Sequence, residues 1–125
     1  MPSLLLTGAS SGLGAACAQY LAQHGWDVFG TSRNAPPPAQ AQRQSVGSGS
    51  ITLFQMDVDR DDSVARGVEW VLGRAGRLDA VVNNAGFGLA GAVENTSVAE
   101  AQAQFETNFF GVARVLRAAL PILRR

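Results

Sequence analysis

The chain has 125 residues, 46% of them hydrophobic, and its ten basic and ten acidic side chains cancel to a formal net charge of zero. That length and balance describe one globular domain over residues 1–125. A neutral charge with a pI near 6.5 argues against a nucleic-acid surface or a polybasic membrane anchor, both of which need excess cations to hold phosphates. No apolar run approaches the roughly 20 residues that cross a bilayer, and no basic stretch followed by an apolar core marks a secretory signal, so a cytoplasmic protein is expected. The single cysteine, Cys17, has no intramolecular partner, and the single histidine, His24, has too few soft neighbours for a zinc site. All ten basic residues are arginines, which removes any mechanism that depends on a lysine ammonium.

Ser3–Thr7 is an apolar run that stops at Gly8, the pattern of a buried parallel strand. Leu13, Cys17, Tyr20, Leu21 and His24 recur at three- and four-residue spacing, which predicts a helix packing that face on the sheet and ending at Gly25. Trp26–Thr31 reads as a second strand and completes a strand-helix-strand unit, which must be parallel and right-handed to pack. Asn34–Ser50 holds Pro36, Pro37 and Pro38 and a Gly/Ser tail; it reads as a surface crossover with room for a short helix over Ala39–Gln44. Ile51–Met56 reads as a third strand, and Asp59 is placed to cap a helix bearing Val64, Val68, Val71 and Leu72 that ends at Gly76. Asp79–Asn83 reads as a fourth strand. After a Gly-rich loop, Ser97-Val98-Ala99-Glu100 has the form of a capping box. It opens a long helix through Phe105, Asn108, Phe109, Val112, Leu116 and Leu120, which Pro121 bends or loosens near its end. The alternation predicts an open α/β fold, a doubly wound parallel sheet of about four strands with flanking helices.

Three groups carry chemistry. In Thr7-Gly8-Ala9-Ser10-Ser11-Gly12-Leu13-Gly14, Gly8 suits a tight turn, Gly12 a close approach to a pyrophosphate and Gly14 close packing of helix on strand. The helix end then offers free N–H groups to an anion. Three glycines also make a plain turn, but the position between a strand and a helix favours a nucleotide. Ser32-Arg33 follows the second strand, where an acid would pair with a ribose 2′-hydroxyl and an arginine with a 2′-phosphate; the alternative is a solvated arginine. NADP is therefore favoured over NAD. Asp57 is either an adenine contact or the opening of a helix. Asn83-Asn84-Ala85-Gly86 ends the fourth strand, either at the ligand-binding edge of the sheet or as a turn.

Thr7–Gly14, Asp57-Val58, Asn83–Gly86 and Phe105-Glu106-Thr107-Asn108 together resemble the short-chain dehydrogenase/reductase family, over the whole chain. The flavour is that of hydroxysteroid or retinol dehydrogenase-like and carbonyl-reductase members. The resemblance implies a Rossmann-type fold and an NADP-dependent hydride transfer between nicotinamide and a small carbonyl or alcohol substrate. It further implies that Gly8, Ser10, Ser11, Gly12, Leu13 and Gly14 hold the pyrophosphate and its riboses, Ser32 and Arg33 the 2′-phosphate, and Asp57 and Val58 the adenine. Asn84, Ala85 and Gly86 would line the nicotinamide side, and Asn108 would match the family's active-site asparagine, which holds a water in the proton relay. The family's catalytic Ser and Tyr-x-x-x-Lys have no counterpart here: there is no lysine, and the only tyrosine, Tyr20, lies in the first helix. The chain thus looks like the N-terminal, cofactor-binding half. Alone it is expected to be inactive, with its last strand an unpaired apolar edge; the alternatives are a non-catalytic nucleotide-binding or regulatory module, or a truncated inactive gene product. The long C-terminal helix resembles the one through which family members dimerise, which implies a homo-oligomer.

Overall fold

The structure, a computed structural model, describes residues 1–125. Its strands are β1 (Ser3–Thr7), β2 (Asp27–Ser32), β3 (Arg43–Val46), β4 (Gly49–Gln55) and β5 (Ala80–Val82), and its helices α1 (Gly12–Gln23), α2 (Asp61–Ala75), α3 (Val98–Phe105) and α4 (Gly111–Leu123). The sheet order is β3-β4-β2-β1-β5, parallel except for the β3–β4 hairpin. The fold is thus the open, Rossmann-type α/β sheet expected, with five strands rather than four.

The additional strand falls inside the proline-containing crossover. Ala39–Gln44 is not a helix: a single 3₁₀ turn over Pro38–Gln40 leads into β3. Arg43–Ser45 are all exposed, so the segment lacks the alternation of apolar residues that marks a strand. Its pairing comes from the Gly47–Gly49 reversal and the adjacent β4, a tertiary cause.

The residues of β1 point alternately into two cores. Leu5 meets Phe29 and Phe54 beneath α2 and α4, while Leu4 and Leu6 meet Val28 and Ile51 beneath α1. Each fully buried Leu or Phe contributes about 1.5–3 kcal/mol of transfer free energy.

Three helix expectations change. On α1 the buried residues are Gly14, Ala18 and Ala22, while Leu13, Tyr20 and His24 face solvent. The helix lies close to the sheet, so the small stripe packs directly on it, and of the larger stripe only Cys17 and Leu21 reach the core, each partly buried at its edge. Asp59 does not cap α2: Arg60 occupies that position without a side-chain cap bond, and Asp59 is turned toward Thr107. The long helix is interrupted by a π turn over Glu106–Phe110. Its buried stripe is Thr107, Gly111, Val115 and Ala119, whereas Phe105, Phe109 and Leu120 are exposed. The capping box at Ser97 and Glu100 forms as expected, as does the left-handed stop at Gly76.

Candidate functional site

The chain leaves β1 toward β2 and β4 on one side, while β5 lies on the other. The loops after β1 and β5 therefore part above the sheet, at the position where open α/β folds bind ligands. A cleft of about 210 Å³ lies there, lined among others by Gly8, Ser32, Arg33, Asp57, Val58, Ala85, Gly86 and Thr107.

Its floor is braced by the Thr7 hydroxyl and by Asn84, of which only Asn84 was expected to face the ligand. The Thr7 hydroxyl oxygen accepts from the Asn84 and Ala85 N–H groups, each at 3.0 Å, and the Asn84 amide donates to the Gly8 carbonyl at 3.0 Å. Thr7 is buried, and its branched side chain suits both a strand and this bracing. The Asn84 side chain thus locks the loop after β5 onto the glycine loop, and Ala85 and Gly86 turn toward the cleft.

The glycine loop divides its labour. A methyl group at Gly14 would collide with the Gly8 carbonyl and lie 2.6 Å from Asn84 Nδ2, so α1 approaches the loop only without a side chain there. Gly12 is the reverse case: its φ is +56° and nothing lies within 4 Å of an added Cβ. The backbone opens outward there, beside the exposed Ser10, Ser11 and Leu13 and the N-terminal end of α1, which no side chain caps.

At the end of β2 the Ser10 hydroxyl donates to Ser32 Oγ at 3.1 Å, and Asn34 N–H donates to the same oxygen at 3.1 Å. Gln55 Nε2 holds the Arg33 carbonyl at 3.2 Å. The Arg33 side chain is exposed and enters no ion pair, which leaves a free guanidinium at the cleft's rim. Asp57 caps the far wall, one carboxylate oxygen accepting from Asp59 N–H at 3.0 Å.

Asn108 sits on the π turn with both ends of its amide engaged. Its Oδ1 accepts from Phe87 N–H at 3.0 Å and its Nδ2 donates to the Phe87 carbonyl at 2.7 Å. The face it shares with Phe105 and Phe109 is exposed rather than packed. The sequence reading missed Thr7, Thr107 and Arg114 as site-building residues. Arg114 donates to Asp61 Oδ1 at 2.7 Å, to the Val58 carbonyl at 3.1 Å and to Glu106. Desolvation works against its charge, but the bonds to Glu106 and Asp61 outweigh it and hold the guanidinium's pKa above its ordinary value. Thr7 and Thr107 lay within the quoted Thr7–Gly14 and Phe-Glu-Thr-Asn motifs, whereas Arg114 carried no signal.

This arrangement defines a dinucleotide-type α/β fold with its glycine loop at the switch point. The chain belongs to the short-chain dehydrogenase/reductase family, whose short chain dehydrogenase model matches residues 3–125. It is 39% identical over 122 residues to a 3-ketodihydrosphingosine reductase of Bacteroides thetaiotaomicron, covering 98% of this chain and 42% of that protein. It is 37% identical over 129 residues to retinol dehydrogenase 8 of Bos taurus, covering 98% and 40%. An alcohol dehydrogenase from the archaeon Thermococcus sibiricus, solved with 5-hydroxy-NADP, superimposes with a TM-score of 0.85 at 34% identity, covering all of this chain and 54% of that one. The NADH-dependent reductase A1-R', solved with NAD, gives a TM-score of 0.81 at 30% identity, covering 98% and 52%. The chain thus spans about half the length of the proteins it matches. No helix in it is long and apolar enough to cross a membrane.

Proposed function

We propose that residues 1–125 form the NADP-binding half of an oxidoreductase that acts on a small carbonyl or alcohol substrate. The observation that carries this reading is Arg33, an exposed and unpaired guanidinium beside the Ser10–Ser32 hydroxyl pair at the end of β2. A cation in that place suits a 2′-phosphate, whereas an acid would suit a 2′-hydroxyl.

The other roles belong to the same reading. Gly8, Ser10, Ser11, Gly12, Leu13 and Gly14 form the pyrophosphate and ribose cradle, with open space at Gly12 and the α1 N-terminus to bind the anion. Asp57 and Val58 flank the adenine, and Asn84, Ala85 and Gly86 line the nicotinamide side. Asn108 keeps the active-site position and holds the Phe87 segment against that side. When bound, the nicotinamide supplies the hydride chemistry. These residues bind and orient it and keep a surface against which a substrate can lie.

Proton transfer is another matter. The 125 residues contain no lysine, and the only tyrosine, Tyr20, is exposed on the outer side of α1. Without a Tyr-x-x-x-Lys pair nothing here brings a phenol into the neutral pH range, and the roughly 10²–10⁴-fold contribution of general acid–base catalysis is missing. Residues 1–125 therefore bind cofactor without turning over. A cytoplasmic location and a homo-oligomer built through the long helix complete the proposal; the exposed Phe105, Phe109 and Phe110 support the latter.

Calorimetry on the purified chain tests the reading. NADP binds, and Gly12→Val, which projects a side chain into the open space, weakens binding at least tenfold. Equal affinity in the two proteins would place the site elsewhere. NADPH mixed with a panel of ketones and aldehydes is not consumed; steady oxidation that vanishes in Asn108→Ala would show a complete catalytic site within this chain.

A further inference from the structure

The π turn carries two adjacent side chains that hold opposite walls of the cleft. Asn108 holds the Phe87 backbone on the side of the β5 loop. Thr107, buried at the same turn, donates its hydroxyl to Asp59 Oδ1 at 2.7 Å, and Asp59 N–H donates to Asp57 Oδ1 at 3.0 Å. Arg114, two α-helical turns further on, donates to the Val58 carbonyl at 3.1 Å while anchored by Asp61 and Glu106. Asp57, Val58 and Asp59 are therefore gripped from the helix at two points. A third close approach supports the same register: an added Cβ at Gly111 would lie 2.9 Å from Val58 Cγ2.

Successive residues of a helix point in different directions, and Thr107 and Asn108 accordingly reach toward different loops. Single π turns recur at functional sites. Here the π turn presents both side chains at the level of the cleft while leaving Gly111, Val115 and Ala119 in phase to pack. The hydroxyl-to-carboxylate bond is charge-assisted, which makes it short and directional. It sets where the Asp57 carboxylate can sit.

We propose that Thr107, together with Arg114, is a positioning residue for the adenosine end of the cofactor, fixing the Asp57–Asp59 loop relative to the helix that carries Asn108. The inference rests on the reading of Asp57 and Val58 as the adenine wall. In consequence, the separation of the adenosine and nicotinamide walls is set by one turn of one helix. Neither residue needs to touch the cofactor to do this.

The test is the affinity of the chain for 2′,5′-ADP, the adenosine half of NADP, measured by calorimetry alongside the urea midpoint. Thr107→Val keeps the side-chain shape but removes the hydroxyl. It binds 2′,5′-ADP about fivefold to tenfold more weakly, the size of one lost charge-assisted hydrogen bond acting on the loop, with the urea midpoint close to wild type. Thr107→Ser restores the affinity to within about twofold of wild type, a rescue that loss of general stability would not give. Should the valine variant fold poorly, Arg114→Lys serves the same purpose. Lysine keeps the charge but cannot present a guanidinium fork to Val58, Asp61 and Glu106 together, and it shows the same loss of affinity. Unchanged 2′,5′-ADP affinity in both variants, or a loss that tracks the urea midpoint and is not rescued by serine, overturns the proposal while leaving the NADP-binding reading intact. Absence of 2′,5′-ADP binding by the wild-type chain overturns both.

Discussion

At the scale of single residues, polar side chains in this cleft divide into those that brace the backbone and those left free. Thr7, Asn84 and Asn108 spend their hydrogen-bonding groups on neighbouring loops, whereas the Arg33 guanidinium has no acidic partner. Under the proposed function this unpaired cation at the rim is a specificity element, and its contribution is checked by reversing its charge. A charge-assisted contact to a 2′-phosphate is worth roughly 1.5–3 kcal/mol, on the order of tenfold to a hundredfold in affinity. Arg33→Asp is expected to lower NADP affinity by that factor and raise the relative affinity for NAD. An unchanged ratio of the two dissociation constants would remove Arg33 from the site. The position of Arg33 at the end of a strand was legible from the chain alone. That Asn84 is committed to the Gly8 carbonyl was not, because the two residues meet only once β1 and β5 pair.

At the scale of elements, the helices pack through small residues. The α1 stripe of Gly14, Ala18 and Ala22 and the Gly111, Val115 and Ala119 stripe of α4 lower the helices onto the sheet. A reading by apolar periodicity selects larger residues one position away. Two glycine substitutions separate packing from propensity. Gly73 lies on the exposed side of α2 with nothing within 4 Å of an added Cβ, so Gly73→Ala is expected to stabilise the chain by about 0.5–1 kcal/mol, the helix-propensity gain. Gly14→Ala gains the same propensity, but its methyl meets the Gly8 carbonyl and Asn84, and overpacking costs about 1–3 kcal/mol. The net effect is destabilising. Urea titrations of the two variants are expected to move in opposite directions, and a stabilised Gly14→Ala would refute the close approach of α1 to the glycine loop.

At the scale of the whole molecule, β5 is the outer strand, three half-buried residues paired only with β1. The segment entering it is held at the other end of the sheet. Asp79 takes a two-pronged bond from Arg77, both contacts at 2.7 Å, and accepts Ser3 N–H at 2.8 Å. The Arg77 hydrogen bonds, then the Ser3 N–H, lower the Asp79 pKa from its ordinary value of 3.8. A carboxyl depressed in the folded state binds its proton more readily when unfolded. Its stabilisation is therefore fully present above the ordinary carboxylate value and is lost as the pH falls through the folded value. Asp79→Asn is expected to lower the urea midpoint at neutral pH and to flatten its decline below about pH 4. An acid limb identical to wild type would mean that this clasp does not couple β5 to β1.

The sequence by itself determined the class of fold, the order of the main strands and helices, and the positions of the glycine loop, Arg33, Asp57 and Asn84–Gly86 along the chain. Each of these depends on local chemistry: apolar runs that stop at glycine, a capping box, and glycines where the backbone must turn or open. Only the tertiary structure decided that Asn34–Ser50 contains β3, that the small faces of α1 and α4 point inward, and that Thr7, Thr107 and Arg114 build the cleft. β3 exists because β4 lies beside it, the small faces turn inward because the helices lie close to the sheet, and Thr107 reaches Asp59 across 48 residues. Contacts between segments so far apart leave no periodic trace in a sequence, since either partner alone is an ordinary polar residue.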